Sequence, residues 1–109
     1  MNITISFKHL EHTPALDARI QEKTEKLQKF FGGQFKVHWV CWCDEKGAHW
    51  AEIKVLGQQE CYAKAHADNL YKALDLVVEK AERQLEKQKS KLRNRVHNTE
   101  SNKYRNGLS

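Results

Sequence analysis

The chain has 109 residues and a formal net charge of +5, enough for one small domain with a single core. No run reaches the roughly 20 apolar residues of a membrane span, no signal segment opens it, and its three cysteines do not suit a disulfide framework, so a reducing, cytoplasmic setting is expected. The charge is uneven: residues 1–79 hold 10 Lys/Arg and 11 Asp/Glu, whereas residues 80–109 hold 9 Lys/Arg and 3 Glu, and such an excess at one end points to a polyanion, most often nucleic acid.

In "NITISFK", Ile3, Ile5 and Phe7 alternate with Asn2, Thr4 and Ser6, the pattern of a half-buried strand. A helix is then expected from Thr13, a capping residue, with Pro14 at its first position and Asp17 near its positive end. Leu16, Ile20, Thr24, Leu27 and Phe31 recur at helical spacing, and Gly32-Gly33 is expected to end the helix. Three strands follow. "KVHWVCWC" places Val37, Trp39, Cys41 and Cys43 on one face, and Asp44 to Gly47 reads as a turn. "WAEIKVL" turns Ala51, Ile53 and Val55 inward; "ECYAKA" does so with Cys61, Ala63 and Ala65, leaving Tyr62, Lys64 and His66 outward. The last helix is expected from about Asp68 to Arg93, with Leu70, Leu74, Val77, Ala81, Leu85 and Leu92 on its buried side. Residues 94–109 are polar and lack periodicity, so a mobile tail is expected after a folded domain of residues 1–93.

The order β-α-β-β-β-α predicts an α+β fold. A helical crossover makes the first two strands parallel, and the later strands form antiparallel hairpins. Only one side of each strand is consistently apolar, so both helices must cover one face of a four-stranded sheet and leave the other open.

On a helical wheel at about 100° per residue, Lys80, Arg83, Lys87 and Lys91 fall within roughly 80° of one another. Asp75, Glu79, Glu82 and Glu86 group on another side, and the apolar residues on a third. Charges placed for solubility would interleave, whereas these are sorted. A helix of this length also outruns the sheet, so its last turns should project with Lys87, Lys89, Lys91 and Arg93. With the helices side by side, Lys23 and Lys26 would carry the basic stripe across the groove between them. Long cations on rigid elements suit phosphate backbones.

"ADNLYKALDLVVEKAERQLEKQKSKL" resembles the closing helix of the ribosome hibernation-promoting factor and ribosome-associated inhibitor family, whose pattern is roughly D-M-Y-x-A-I-D followed by K-x-x-R-Q-L-x-K-x-K-x-K. Tyr71, Ala73, Asp75, Lys80, Arg83, Gln84, Leu85, Lys87, Lys89 and Lys91 match it. Lys23, Lys26, Leu27, Phe30 and Phe31 are similar to the family's first helix, so the resemblance covers about residues 2–93. Asn69 departs from the usual Asp, which weakens an expected capping role; the strands carry unusual Trp and Cys residues; and a short form, without the second domain of long members, is expected.

The resemblance implies binding to the small ribosomal subunit and its rRNA in the mRNA/tRNA channel. Translation would be inhibited there by occlusion, without chemistry, during stress or stationary phase. Carried over residue by residue, Lys23, Lys26, Lys80, Arg83, Lys87, Lys89 and Lys91 are the expected rRNA contacts. The free protein is expected to be monomeric, with no enzyme activity, cofactor, metal, small-molecule substrate or membrane partner. The alternative is a generic structured-RNA or double-stranded-RNA-binding module.

Three other features offer competing chemistry. Cys41 and Cys43 have strand spacing on the core face, which suits packing better than zinc ligation. His9 and His12 flank Glu11 without a paired nucleophile, which favours a surface role over acid–base catalysis. Trp42, Trp50 and Tyr62 on the open sheet face suit base stacking, but also ordinary cross-strand pairing.

Overall fold

The computed structural model describes residues 2–31 and 33–101, with side chains as far as Ser90. It contains β1 (Asn2–Lys8), α1 (Pro14–Glu25), a 3₁₀ turn (Gln28–Phe30), β2 (Lys36–Cys43), β3 (His49–Leu56), β4 (Cys61–Ala67) and α2 (Leu70–Ser101), in the expected order. The sheet runs β1-β2-β3-β4. β1 lies parallel to β2, while β2–β3 and β3–β4 are antiparallel. The period-two pattern decides the layers. Val37, Trp39, Cys41, Ala51, Ile53, Val55, Cys61, Ala63 and Ala65 are buried against the helices, and the alternate residues form the open face. The β2–β3 turn is organised by Asp44, whose Oδ1 accepts the backbone N–H groups of Lys46 (2.9 Å) and Ala48 (3.0 Å). Gly47 supplies the left-handed φ of 88° that the turn requires.

At the start of α1, Thr13 Oγ1 accepts the Leu16 N–H at 3.2 Å, with Pro14 and Asp17 in the first turn as expected. The helix ends at Glu25, earlier than the expected Gly32-Gly33. The chain tightens instead: Leu27 N–H bonds Thr24 O (2.9 Å) and Phe30 N–H bonds Leu27 O (3.1 Å). Such i→i−3 bonds keep Leu27 buried while the chain turns away, and Phe31 stacks on Phe35 with centroids 4.3 Å apart. Thr24 is fully buried. Its hydroxyl donates to Ile20 O (2.6 Å) and accepts from Trp39 Nε1 (2.9 Å), tying α1 to β2 through the buried indole.

α2 begins at Leu70, two residues after the expected start. Asn69 Oδ1 accepts the Lys72 N–H at 2.9 Å, and Asn69 O accepts that of Ala73 at 3.2 Å. Asn69 therefore caps the helix, contrary to the weakened role expected of it, because an amide oxygen accepts as readily as a carboxylate in this position. Leu70, Leu74, Val77, Ala81 and Leu85 are buried as expected; the side chain of Leu92 lies outside the described residues. The helix passes its expected end near Arg93 and reaches Ser101. Loss of apolar periodicity does not end the helix. No glycine or proline occurs between Leu92 and Gly107, and extending a formed helix requires no new nucleation. The expected tail thus begins with helical backbone, and residues 102–109 lie outside the described residues. α2 packs over β3 and β4, with α1 and the 3₁₀ turn alongside it.

Candidate nucleic-acid interface

Three flanks of α2 have different surroundings. The apolar side faces the sheet. The side carrying Asp75 and Glu82 faces α1: Lys23 Nζ lies 2.5 Å from Asp75 Oδ1, and Lys29 Nζ lies 3.7 Å from Glu82 Oε2. The crevice beside this contact, about 360 Å³, is lined by Lys29, Phe30, Glu79, Glu82, Arg83 and Glu86. The groove between the helices is therefore mixed in charge. This corrects the expectation that Lys23 and Lys26 extend the basic stripe across it, because α1 meets the acidic flank of α2 instead. The Lys23 side chain retains 14% of its exposure and is held by Asp75, so its charge is largely committed within the protein. Lys26 is exposed at the end of α1, where its N–H bonds Lys23 O at 3.3 Å.

The third flank of α2 meets the free edge of β4. Lys80 Nζ donates to Lys64 O (2.9 Å), Gln84 Nε2 to Tyr62 O, and Gln88 Nε2 to Glu60 O (2.8 Å). Gln84 Oε1 also accepts the Tyr62 N–H at 3.3 Å. The spacing explains the ladder: four helical residues advance about 6 Å and two strand residues about 6.6 Å. Steps of four on α2 thus keep pace with steps of two on β4 and cover polar backbone that an edge strand leaves open. The helical wheel placed Lys80 in the basic stripe without revealing this attachment. The legible signal was Gln84 and Gln88, amides at the margin of the apolar arc, where an uncharged polar group needs a local partner.

Beyond the ladder, Arg83, Lys87 and Lys89 are exposed cations of α2. Arg83 reaches Glu79 at 3.4 Å across one turn, but with 74% of its side chain exposed that pair holds it weakly. Lys87 and Lys89 have no carboxylate within 4 Å among the described residues. Lys91 lies outside the residues whose side chains are described. The structure thus keeps Arg83 and Lys87 on one flank of α2 with Lys89 about 160° round the helix from Lys87, separates Lys26 from them, and engages Lys23 and Lys80 in internal contacts. Leu85 is the last buried position among the described side chains of α2, so Lys87 and Lys89 stand where the helix leaves its core.

The remaining candidates fall into place. Burial pushes the Cys41 thiol up to about 12 and that of Cys61 to about 11; both are packing groups. Among the described residues no cluster of three His, Cys, Asp or Glu is placed to hold a metal ion. His12 stacks on Phe7 (4.5 Å) and lies 3.3 Å from Asp17, while His9 occupies the left-handed turn after β1 (φ 58°). No described helix is long and apolar enough to cross a membrane.

The family described as "Sigma 54 modulation protein / S30EA ribosomal protein" matches residues 3–93. The chain is 29% identical over 115 residues to the ribosome hibernation promotion factor of Bacillus subtilis, covering 99% of this chain and 60% of that protein. It is 32% identical to the ribosome hibernation promoting factor of Klebsiella oxytoca, covering 85% of this chain and 98% of the relative. Against the crystal structure of the Thermus thermophilus Protein Y N-terminal domain the TM-score is 0.73 at 27% identity, covering 80% of this chain and 98% of that one. A ribosomal subunit interface protein from Coxiella burnetii shares the fold with a TM-score of 0.72 at 24% identity, covering 83% of this chain and 99% of that one. A sorted, partly projecting helix on a β-α-β-β-β-α frame and a family match across nearly all of that frame agree: the chain belongs to the Sigma 54 modulation protein / S30EA ribosomal protein family.

Proposed function

We propose that this protein is a ribosome hibernation factor that binds the small ribosomal subunit through rRNA phosphates and inhibits translation by occluding the mRNA/tRNA channel. The observation that carries the reading is the group Arg83, Lys87 and Lys89, exposed on a helix that continues past its core. Rigid cations spaced along one helix suit a phosphate backbone, and relatives matched over most of this chain are named for ribosome hibernation. In this reading Arg83, Lys87 and Lys89 are the principal contacts, with Lys26 on the neighbouring element and Lys91 further along α2. Lys23 and Lys80 position the helices, through Asp75 and the β4 edge respectively.

The test combines co-sedimentation with purified small subunits and inhibition of a reconstituted translation system. Arg83→Glu/Lys87→Glu/Lys89→Glu should abolish both while the circular dichroism spectrum stays helical. Glu79→Gln/Glu86→Gln, on the same helix, should leave both intact. Normal binding and inhibition by the reversed variant would make these cations a solvated surface and overturn the reading. Equal affinity for naked duplex RNA and for the intact subunit would favour a generic structured-RNA module.

A further inference from the structure

The sheet face opposite the helices is not a neutral outer wall. Trp42, Trp50 and His66 are directly paired across β2, β3 and β4. The two indoles lie parallel, at an interplanar angle of 1° with centroids 5.6 Å apart, and the His66 ring stands 4.5 Å from Trp50. Lys64 Nζ lies over the Trp50 ring at 5.3 Å. Trp50 is fixed from the turn, where its Nε1 donates to Asp44 Oδ2 at 2.9 Å. The row ends at Trp42, whose neighbour on β1 is Lys8, preceded on that face by the small Ser6 and Thr4. The ring face of Trp42 away from Trp50 has no aromatic partner among the described residues.

Charge narrows the occupant. The strand residues of this face include Lys8, Lys36, Lys54 and Lys64 against a single carboxylate, Glu52, which accepts a hydrogen bond from the Tyr62 hydroxyl. An apolar protein surface would find little beside the indoles but Val40 and, next to Trp50 and His66, Leu76. A flat aromatic row edged by cations fits a nucleobase with its phosphates, because every base offers a π-face and every linkage a negative charge.

We propose that the open sheet face is a second RNA-binding surface that takes an unpaired strand. One base stacks on the free face of Trp42 and continues the Trp42–Trp50–His66 row, while Lys8 and Lys64 hold the phosphates beside it and Lys54 and Lys36, about 13 and 20 Å along the sheet, hold phosphates further along the strand. This site is separate from the α2 cations and does not depend on their binding a ribosome.

The experiment titrates the full chain with a ten-nucleotide single-stranded RNA at low salt, read by quenching of tryptophan emission. Trp39, buried and bonded to Thr24, supplies a constant background. Quenching should saturate with the single strand and be weak with a duplex of the same length. Trp42→Leu should weaken binding roughly 5- to 150-fold, the range for loss of one stacked base. Lys8→Gln/Lys54→Gln/Lys64→Gln, which spares the indoles, should weaken it and flatten its salt dependence. The variant reversed at Arg83, Lys87 and Lys89 should still bind the oligonucleotide, which separates this site from the helix surface. Wild-type affinity in a Trp42→Leu protein of unchanged circular dichroism, or binding lost only with the helix cations, would overturn the proposal. So would a protein partner captured through this face while the oligonucleotide fails to bind.

Discussion

Thr24 shows how one residue can carry a helix–sheet contact. Its hydroxyl accepts the Trp39 indole N–H at zero exposure, so replacing it with valine leaves a buried donor without a partner. Thr24→Val should lower unfolding free energy by about 1–3 kcal/mol in denaturant titrations, and Thr24→Ser should restore much of that loss. Asp44 is the turn's counterpart. The Trp50 indole N–H and the backbone N–H groups it accepts hold its carboxyl below the usual range. A depressed folded value means the stabilisation is complete above the unfolded carboxylate value, near about 3.9, and is lost as pH falls through the folded value. Thermal midpoints followed downward from neutral pH should therefore fall less steeply in Asp44→Asn than in wild type, and parallel curves would show that Asp44 gains nothing from its bonds. Thr24 was legible as part of the helical stripe, but its tie to Trp39 was not, because no local pattern pairs residues fifteen apart.

At the scale of elements, α2 does two jobs at once. Its Lys80–Gln84–Gln88 ladder covers β4, and its Arg83, Lys87 and Lys89 face outward. Gln84→Ala/Gln88→Ala should expose the β4 edge, seen as faster amide exchange at Tyr62 and a modest loss of stability, about 1 kcal/mol. Unchanged exchange would mean that solvent serves those backbone groups equally well. A chain ending at Arg95 should keep its thermal midpoint to within about 3 °C, since the polar residues it removes lack the apolar periodicity that buries Leu70 to Leu85. A larger fall would place the last residues against the core. The strands were legible almost residue by residue, because alternation in β2, β3 and β4 tracks burial. Helix ends were less so. α1 stopped early through 3₁₀ tightening, and α2 ran on because nothing in Asn94–Ser101 breaks a helix.

For the whole molecule, the sequence separates charge along the chain and the fold then separates it around one helix. The sorting of α2 into apolar, acidic and basic flanks could be read from a wheel alone. What each flank meets could not, since that depends on α1 lying beside Asp75 and Glu82 while β4 lies beside Lys80, Gln84 and Gln88. Asp75 and Glu82 of the acidic flank are held by Lys23 and Lys29, which takes Lys23 out of the expected contacts, while Arg83, Lys87 and Lys89 stay exposed near the end of the described side chains of α2. If they grip rRNA phosphates, binding must weaken with salt through counterion release. The most direct measurement is the affinity for purified small subunits across a salt series, in wild type and in the Arg83→Glu/Lys87→Glu/Lys89→Glu variant. Three phosphate contacts predict that these residues contribute roughly two to three units to the slope of log affinity against log salt, and that the variant lacks that share. A variant that binds with wild-type affinity and the same slope would contradict the account.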